Sequence, residues 1–466
     1  MSIRHLREAL SETFWLVLVV AIVGGGAAGV AAARMDHDDS VSSYFGRAWL
    51  ATSGDARGVL GTLFGLQITV LTIVLSVNAS TLQAGANQYS PRLVPFYLKN
   101  TPLRRTIPMF AFSAAYTLAA TKTLGMITQG VERPRPAVTG AIALLLATFA
   151  TLAIGMFKTF PMLRVERVLV LVRNAAVAAA GRLEARMSNL TTATRATLIL
   201  PSNATPVRAA ACGYIVDIDV ERLSACARSA GVRVRICRAI GDYVDEAEVI
   251  GWAASDRGFP VDSRGASDLA RSVALGPNRE LGCDPLYCVR ILADVAARAL
   301  SSSSHDAYTA RQALQQLRSV LRNLMSRKMG DWNVVDADGS VRVSMISADL
   351  REFISVGIDA PLRVGAGEPE VLDAVLEIAL EIGLLASDGQ EREMAFALVA
   401  RVVEDAAEYG HLDRARTARL LAHAELVRTT LVRDSPRPDR HARSVWALMP
   451  QDEVDELRVR LAGATR

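Results

Sequence analysis

The sequence predicts a membrane α-helical protein with four transmembrane helices, followed by a cytoplasmic α+β region made of a small β-module and a helical domain. Three observations lead to that class. Nearly all the long apolar runs lie before residue 160. Strict apolar/polar alternation appears between residues 213 and 252. Helical spacing dominates from residue 285 onward. Over 466 residues, 51% hydrophobic and 21% charged composition is that of an ordinary soluble protein, so the whole-chain average hides the division.

Phe14 to Ala33 is twenty residues without a charge, long enough to cross about 30 Å of hydrocarbon. A cleaved signal peptide, with Ala31, Ala32 and Ala33 near its cut, is the competing reading of this stretch. The second run lies within the uncharged stretch Gly58 to Pro91, the third runs from Ile107 to Ile127 and carries Lys122, and the fourth runs from Ala137 to Phe157. In lipid each span must satisfy its own backbone hydrogen bonds, which makes each a helix. The loop from Ser80 to Thr106 carries Arg92, Lys99, Arg104 and Arg105 with no acid, whereas the loop from Arg34 to Arg57 dilutes its arginines with Asp36, Asp38, Asp39 and Asp55. The basic bias places both termini in the cytoplasm of a multi-pass protein of the inner (plasma) membrane. Lys122 is placed to snorkel toward the outer interface, with Glu132 as a nearby partner.

Span two carries a stripe. Thr62, Gly65, Thr69, Thr72, Ser76, Ala79 and Gln83 recur every three or four residues, and Gln67 sits off the stripe near mid-span. Two readings stand: a helix-packing face, with Gly61-x-x-x-Gly65 and Gly25-x-x-x-Gly29 as close-approach motifs, and a water-facing or pore-lining face.

Beyond the spans, residues 161–190 read as an amphipathic connecting helix whose arginines face headgroups or solvent, residues 191–280 as the β-module, and residues 281–466 as the helical domain. In the β-module, Gly213 to Asp219, Val232 to Cys237 and Glu248 to Trp252 are strands, Val220 to Ala230 is a helix, and Gly241-Asp242 is a turn. That turn is similar to the turns of lipoyl-type carriers, but no lysine lies between Lys158 and Lys328, which excludes covalent attachment there. Later, Asp336-Ala-Asp-Gly339 between two valine-rich runs predicts a hairpin. Helices are expected from Pro285 to Arg327, with a break at Ser301 to Ser304, and near 348–360, 368–386, 389–407, 413–433 and 451–462.

Chemistry is sparse. The net charge is +4, and 48 of the 52 basic residues are arginine, without the aromatic interleaving of a nucleic-acid surface. The five cysteines form no C-x-x-C pair, so neither zinc nor any other cofactor is expected, and they suit a reducing face. No nucleotide or hydrolase motif occurs, which argues against an enzyme. Ser304-His305-Asp306 reads as a turn and helix cap, because three consecutive side chains point in different directions. Asp217 and Asp219 share a strand face. Asp284, Arg290, Asp294, Arg298 and Asp306 form the other candidate cluster: Arg290, Asp294 and Arg298 lie on one helix face, as a structural ladder of ion pairs or an anion site.

These residues resemble a family of bacterial membrane proteins known as domain of unknown function 2254. Four stretches carry the resemblance: span two through Gln88-Tyr-Ser-Pro-Arg-Leu93; Gly213-Tyr-Ile-Val with Asp219-Val-Glu-Arg-Leu223; Gly241-Asp-Tyr-Val244; and Asp284-Pro-Leu-Tyr287 with Arg290, Asp294, Arg298-Ala-Leu-Ser301 and Asp306. This chain reads Ser301-Ser-Ser-Ser-His-Asp-Ala307 where that family has a proline-containing pattern. The resemblance implies a four-pass membrane protein with a cytoplasmic domain and brings no activity. The expected function is an oligomeric channel-like or transport-like protein, with a membrane-anchored sensor or scaffold as the alternative. The expected partners are the lipid bilayer and further copies of the chain, and the sequence does not identify the ion or ligand.

Overall fold

The computed structural model describes residues 3–35, 50–88, 92, 103–125, 133–134, 136–159, 164–188, 192–193, 198–256, 260–301 and 305–433. The prolines at 91, 95 and 102, Glu132, the serines at 302–304 and the helix expected at 451–462 lie outside them. The chain divides into two compact units at Arg164/Val165, with Gln88–Ser90 belonging to the second.

The first unit holds α1 (Ile3–Met35), α2 (Ser53–Gln88), α3 (Leu103–Gly125) and α4 (Pro136–Thr159), with two short strands, β1 (Leu50–Ala51) and β2 (Arg133–Pro134). Strands β1 and β2 pair antiparallel, which brings the α1–α2 and α3–α4 connections to one end of the bundle. At that end Ala33, Leu60, Tyr116, Leu124 and Val138 share one core. Helices α1 and α3 pack most closely, because Gly25 and Gly29 lie against the backbone carbonyls of Phe112 and Tyr116, where any Cβ would collide. Outward-facing Leu16, Val20, Val23, Ile73, Leu146 and Ile154 are exposed, as lipid-facing side chains are.

Three helices are long and apolar enough to cross a membrane: Leu16–Met35, Gly54–Ser80 and Pro136–Gly155. The fourth expected span, α3, is 23 residues of helix but carries Arg104, Arg105 and Lys122 and a run of hydroxyl residues, so its apolar character falls short of the others.

The second unit opens with α5 (Val165–Ser188), whose Val168, Leu169, Val172, Ala176 and Met187 are buried. The expected connecting helix is thus part of this unit. Its Arg182 donates to the Gly282 carbonyl and its Arg186 pairs with Asp217 at 2.5 Å.

Strands β3 (Thr192–Ala193) and β4 (Thr205–Arg208) precede β5 (Gly213–Ile218), α6 (Val220–Ala230), β6 (Val232–Ile236), β7 (Tyr243–Val244), β8 (Val249–Ser255), α7 (Ser263–Ala270) and β9 (Val273–Gly276). Then come α8 (Pro285–Ala299), α9 (Ala307–Met325), β10 (Trp332–Val335), β11 (Val341–Met345), α10 (Leu350–Val364), α11 (Pro369–Leu385), α12 (Gly389–Tyr409) and α13 (Arg414–Arg433). A three-stranded sheet has the order β7-β5-β9, and a six-stranded sheet the order β3-β10-β11-β6-β8-β4.

The expected hairpin forms, with Gly339 at φ 81° in its turn. Its place differs from expectation. Strand β11 runs parallel to β6, so the hairpin completes the sheet of the β-module, and the boundary drawn near residue 280 does not separate two bodies. That pairing joins residues 234 and 343, a separation no local pattern reveals. Aspartates start the helices: Asp219, Asp262, Asp284, Asp306, Asp349 and Asp388 each accept a backbone N–H three residues on.

Candidate functional site

The stripe of span two faces outward. Thr62, Gly65, Thr69, Thr72, Ser76 and Gln83 are all exposed on the single chain. The hydroxyls of Thr62, Thr69 and Thr72 donate to carbonyls four residues back on the same helix. A Cβ at Gly61 or Gly65 meets nothing within 4 Å, so this glycine pair makes no close approach to any described residue of the chain.

Gln67 is different in kind. It is 1% exposed, its Nε2 donates to Ser113 Oγ at 2.8 Å, and its Oε1 accepts from Thr117 at 3.4 Å. It ties α2 to α3 and lines no face of the stripe. Gln67→Leu leaves Ser113 short of a partner and is expected to destabilise the first unit by about 1–2 kcal/mol, read as a lower thermal midpoint in detergent.

The α8 residues separate into different jobs. Arg290 pairs with Asp294 at 3.3 Å on the helix surface, Arg290 being 47% exposed, which is a solvated pair of small energetic weight. Arg298 is exposed on the same helix, four residues beyond Asp294. Asp306 caps α9, accepting from Thr309 N and Oγ1 at 3.0 and 2.6 Å, and these bonds hold its carboxyl below the usual range. His305 turns to Glu368 at 3.0 Å, so it makes no triad with Asp306. Asp217 is buried against Arg186 while Asp219 caps α6, so those two acids also part company.

Asp284 has the most telling position. It is 2% exposed at the start of α8, accepts from Tyr287 N at 2.8 Å, and holds Arg279 through Nε and Nη2 at 2.8 and 2.7 Å. Burial pushes its carboxyl up, against the pull of Arg279 and the Tyr287 N–H. Gly241, at φ 99°, passes so close that a Cβ would strike both the Asp284 carboxylate and the Arg279 guanidinium. Gly241 N donates to Ile215 O, and Ile215 N donates to Asp242 O, both at 2.8 Å. Three of the stretches singled out in the sequence, around residues 215, 241 and 284, therefore meet at one place.

They meet on the wall of a cavity of about 250 Å³. Ala180, Leu183 and Glu184 of α5 form one side, and Ile218, Val220 and the 239–242 turn another. Leu324 to Trp332 and Met345 to Ala348 close it, with Glu352, Phe353 and Val356 of α10.

The charges there are unevenly matched. Arg279 serves Asp284, and Arg327 serves Glu184 and Asn323. Asp242 accepts from Ala239 N at 2.9 Å. Burial, reinforced by neighbouring acids, raises the Glu352 carboxyl. Lys328 Nζ is buried, has no hydrogen-bond partner among the described residues, and sits 4.6 Å from the centre of the Trp332 ring. Desolvation lowers its pKa. No motif or periodicity marks this lysine in the sequence. The available signal was its rarity, as the one lysine after residue 158 among 48 arginines.

A bundle of membrane-length helices joined to a unit with an internal polar-apolar cavity defines a membrane protein with a large extra domain. The chain belongs to the predicted membrane protein family of domain of unknown function 2254, whose model matches residues 11–380 and so includes the whole cavity wall. It is similar, at 28% identity over 389 residues, to uncharacterized protein Rv1290c of Mycobacterium tuberculosis and uncharacterized protein Mb1321c of Mycobacterium bovis, with 83% of this chain and 74% of each relative covered. No solved structure matches it.

Proposed function

We propose that this membrane protein is a ligand-binding sensor, with the cavity of the second unit as its receptor site. The observation that carries the reading is Lys328: a buried Nζ without an acceptor among the described residues, in a cavity otherwise lined mostly by apolar side chains. An unsatisfied buried cation is costly, and functional cavities are where such groups gather.

The test is a thermal-shift screen of small metabolites on the full chain in detergent. Some compounds stabilise the wild type, and those shifts vanish in Ala348→Phe, which puts a bulky ring on the cavity wall. Shifts that survive in that variant, or no shift at all, contradict the reading.

The proposal includes four crossings with both termini in the cytoplasm. Support for the fourth comes from connectivity. Strands β1 and β2 lie together at one end of the bundle. If α2 leaves that end and crosses, the chain must cross back before β2. Helix α3, ~34 Å long at 1.5 Å per residue, is the described helix in between. The basic loop from Ser80 to Thr106 supports the orientation.

A second reading, the oligomeric channel-like protein, is favoured by one observation: the stripe from Thr62 to Gln83 is outside its own bundle, where further copies could share it. Liposomes carrying the full chain then pass ions, and Thr69→Leu or Thr72→Leu changes that flux. Absence of flux, or flux indifferent to both variants, removes the stripe as a pore lining.

A further inference from the structure

We infer that the occupant of the cavity is a small monoanionic carboxylate with an apolar body, its carboxylate taking Lys328 Nζ as counter-ion and its body lying against Trp332, Met345 and Phe353. The inference rests on the ligand-binding reading above and specifies it.

Among the described residues of the wall, the cations are Arg279, Arg327 and Lys328. The two arginines are already committed, to Asp284 and to Glu184 with Asn323. Lys328 remains with only the Trp332 ring face, which attracts a cation but offers no acceptor lone pair in place of lost water. In a chain of 48 arginines and four lysines, a compact point charge stands here in place of the planar fork that suits bidentate recognition.

The ligand's charge follows from the acids. Asp242, Asp284 and Glu352 border the same cavity, so a doubly charged phosphate would face one uncommitted cation and several carboxyl groups. A carboxylate matches Lys328 one to one. The body is apolar because most of the remaining wall is, and it is small because about 250 Å³ lies below the ~300–1,000 Å³ of drug-sized sites. An aromatic or branched short-chain acid fits these limits; a long acyl chain does not.

The experiment is calorimetric titration of the full chain in detergent micelles, against matched micelle blanks. Phenylacetate is compared with phenethyl alcohol, its neutral counterpart, and with phenyl phosphate. The wild type is expected to bind phenylacetate about tenfold or more tightly than either of the others, the scale of one charge-assisted hydrogen bond. Lys328→Met erases that preference and leaves the affinity for the alcohol within about twofold. Because it removes an unpartnered buried charge, Lys328→Met also keeps the wild-type thermal midpoint or raises it.

Equal binding of acid and alcohol by the wild type overturns the anion while leaving a binding cavity. Tightest binding of the phosphate overturns the monoanion. Failure of all three to bind overturns the inference, while the ligand-binding reading stands or falls with the thermal-shift screen. The acid-to-alcohol ratio on the wild type decides the matter without any variant.

Discussion

Asp284→Ala is expected to destabilise the second unit by about 3–5 kcal/mol, the cost of leaving one partner of a buried ion pair alone. Three losses coincide at this residue. Arg279 keeps its charge at a half-buried site after both of its bonds to the carboxylate disappear. Tyr287 N loses the acceptor that starts α8, a cap worth about 1 kcal/mol by itself. The space beside Gly241, where the Asp284 carboxylate sits, empties. Asp284→Asn keeps an acceptor for Tyr287 N and much of the volume but not the charge, so its cost falls between that of Ala and the wild type. Denaturant titration of the full chain, followed through near-ultraviolet signals of the second unit, checks the order. Equal stability of wild type and Asp284→Ala would show that the pair does not organise the cavity wall.

Gly29→Leu is the second large effect, and it falls in the membrane unit. A side chain there would drive into the Tyr116 carbonyl, and a backbone cannot yield as a flexible side chain does. The helices must separate, against the close packing that holds α1 to α3. The expected cost exceeds the ~1–3 kcal/mol of ordinary overpacking, because the obstacle is main chain. Gly25→Leu behaves alike through Phe112, whereas Gly61→Leu and Gly65→Leu leave the thermal midpoint in detergent nearly unchanged, since neither site has a neighbour within 4 Å. If all four substitutions act equally, the two glycine pairs are not distinct in the way described.

That contrast also shows what a sequence can and cannot reveal. Both glycine pairs have the same spacing, and periodicity alone treats them as equals. Only the assembled bundle distinguishes the pair pressed on α3 from the pair facing outward. Gln67 makes the same point, because its inward direction depends on Ser113 and Thr117, nearly fifty residues away. The strands from 213 to 255 were legible because alternation is local, and the 336–339 turn because Gly339 supplies the positive φ it needs. The hairpin's parallel partner was not legible, since β6 and β11 lie about a hundred residues apart in sequence.

The cavity escaped for the same reason. Its wall draws on residues from Ala180 to Val356, and no motif spans that distance. The Arg290 and Arg298 side chains, read as a structural ladder or an anion site, are surface groups, whereas among the described residues of the cavity wall the uncommitted cation is Lys328. The acid that matters most, Asp284, was visible as part of the family stretch, but its partner Arg279 was not.

Ligand occupancy of the cavity at Lys328 is read by site-resolved acylation of the membrane-embedded full chain. Lys328 is the one lysine after residue 158, so mass spectrometry reads its modification without ambiguity, with Lys122 as a reference in the same chain. Slow acylation of Lys328, slowed further by phenylacetate while Lys122 is unaffected, is the predicted result. Acylation of Lys328 at the same rate with and without the acid would contradict the account.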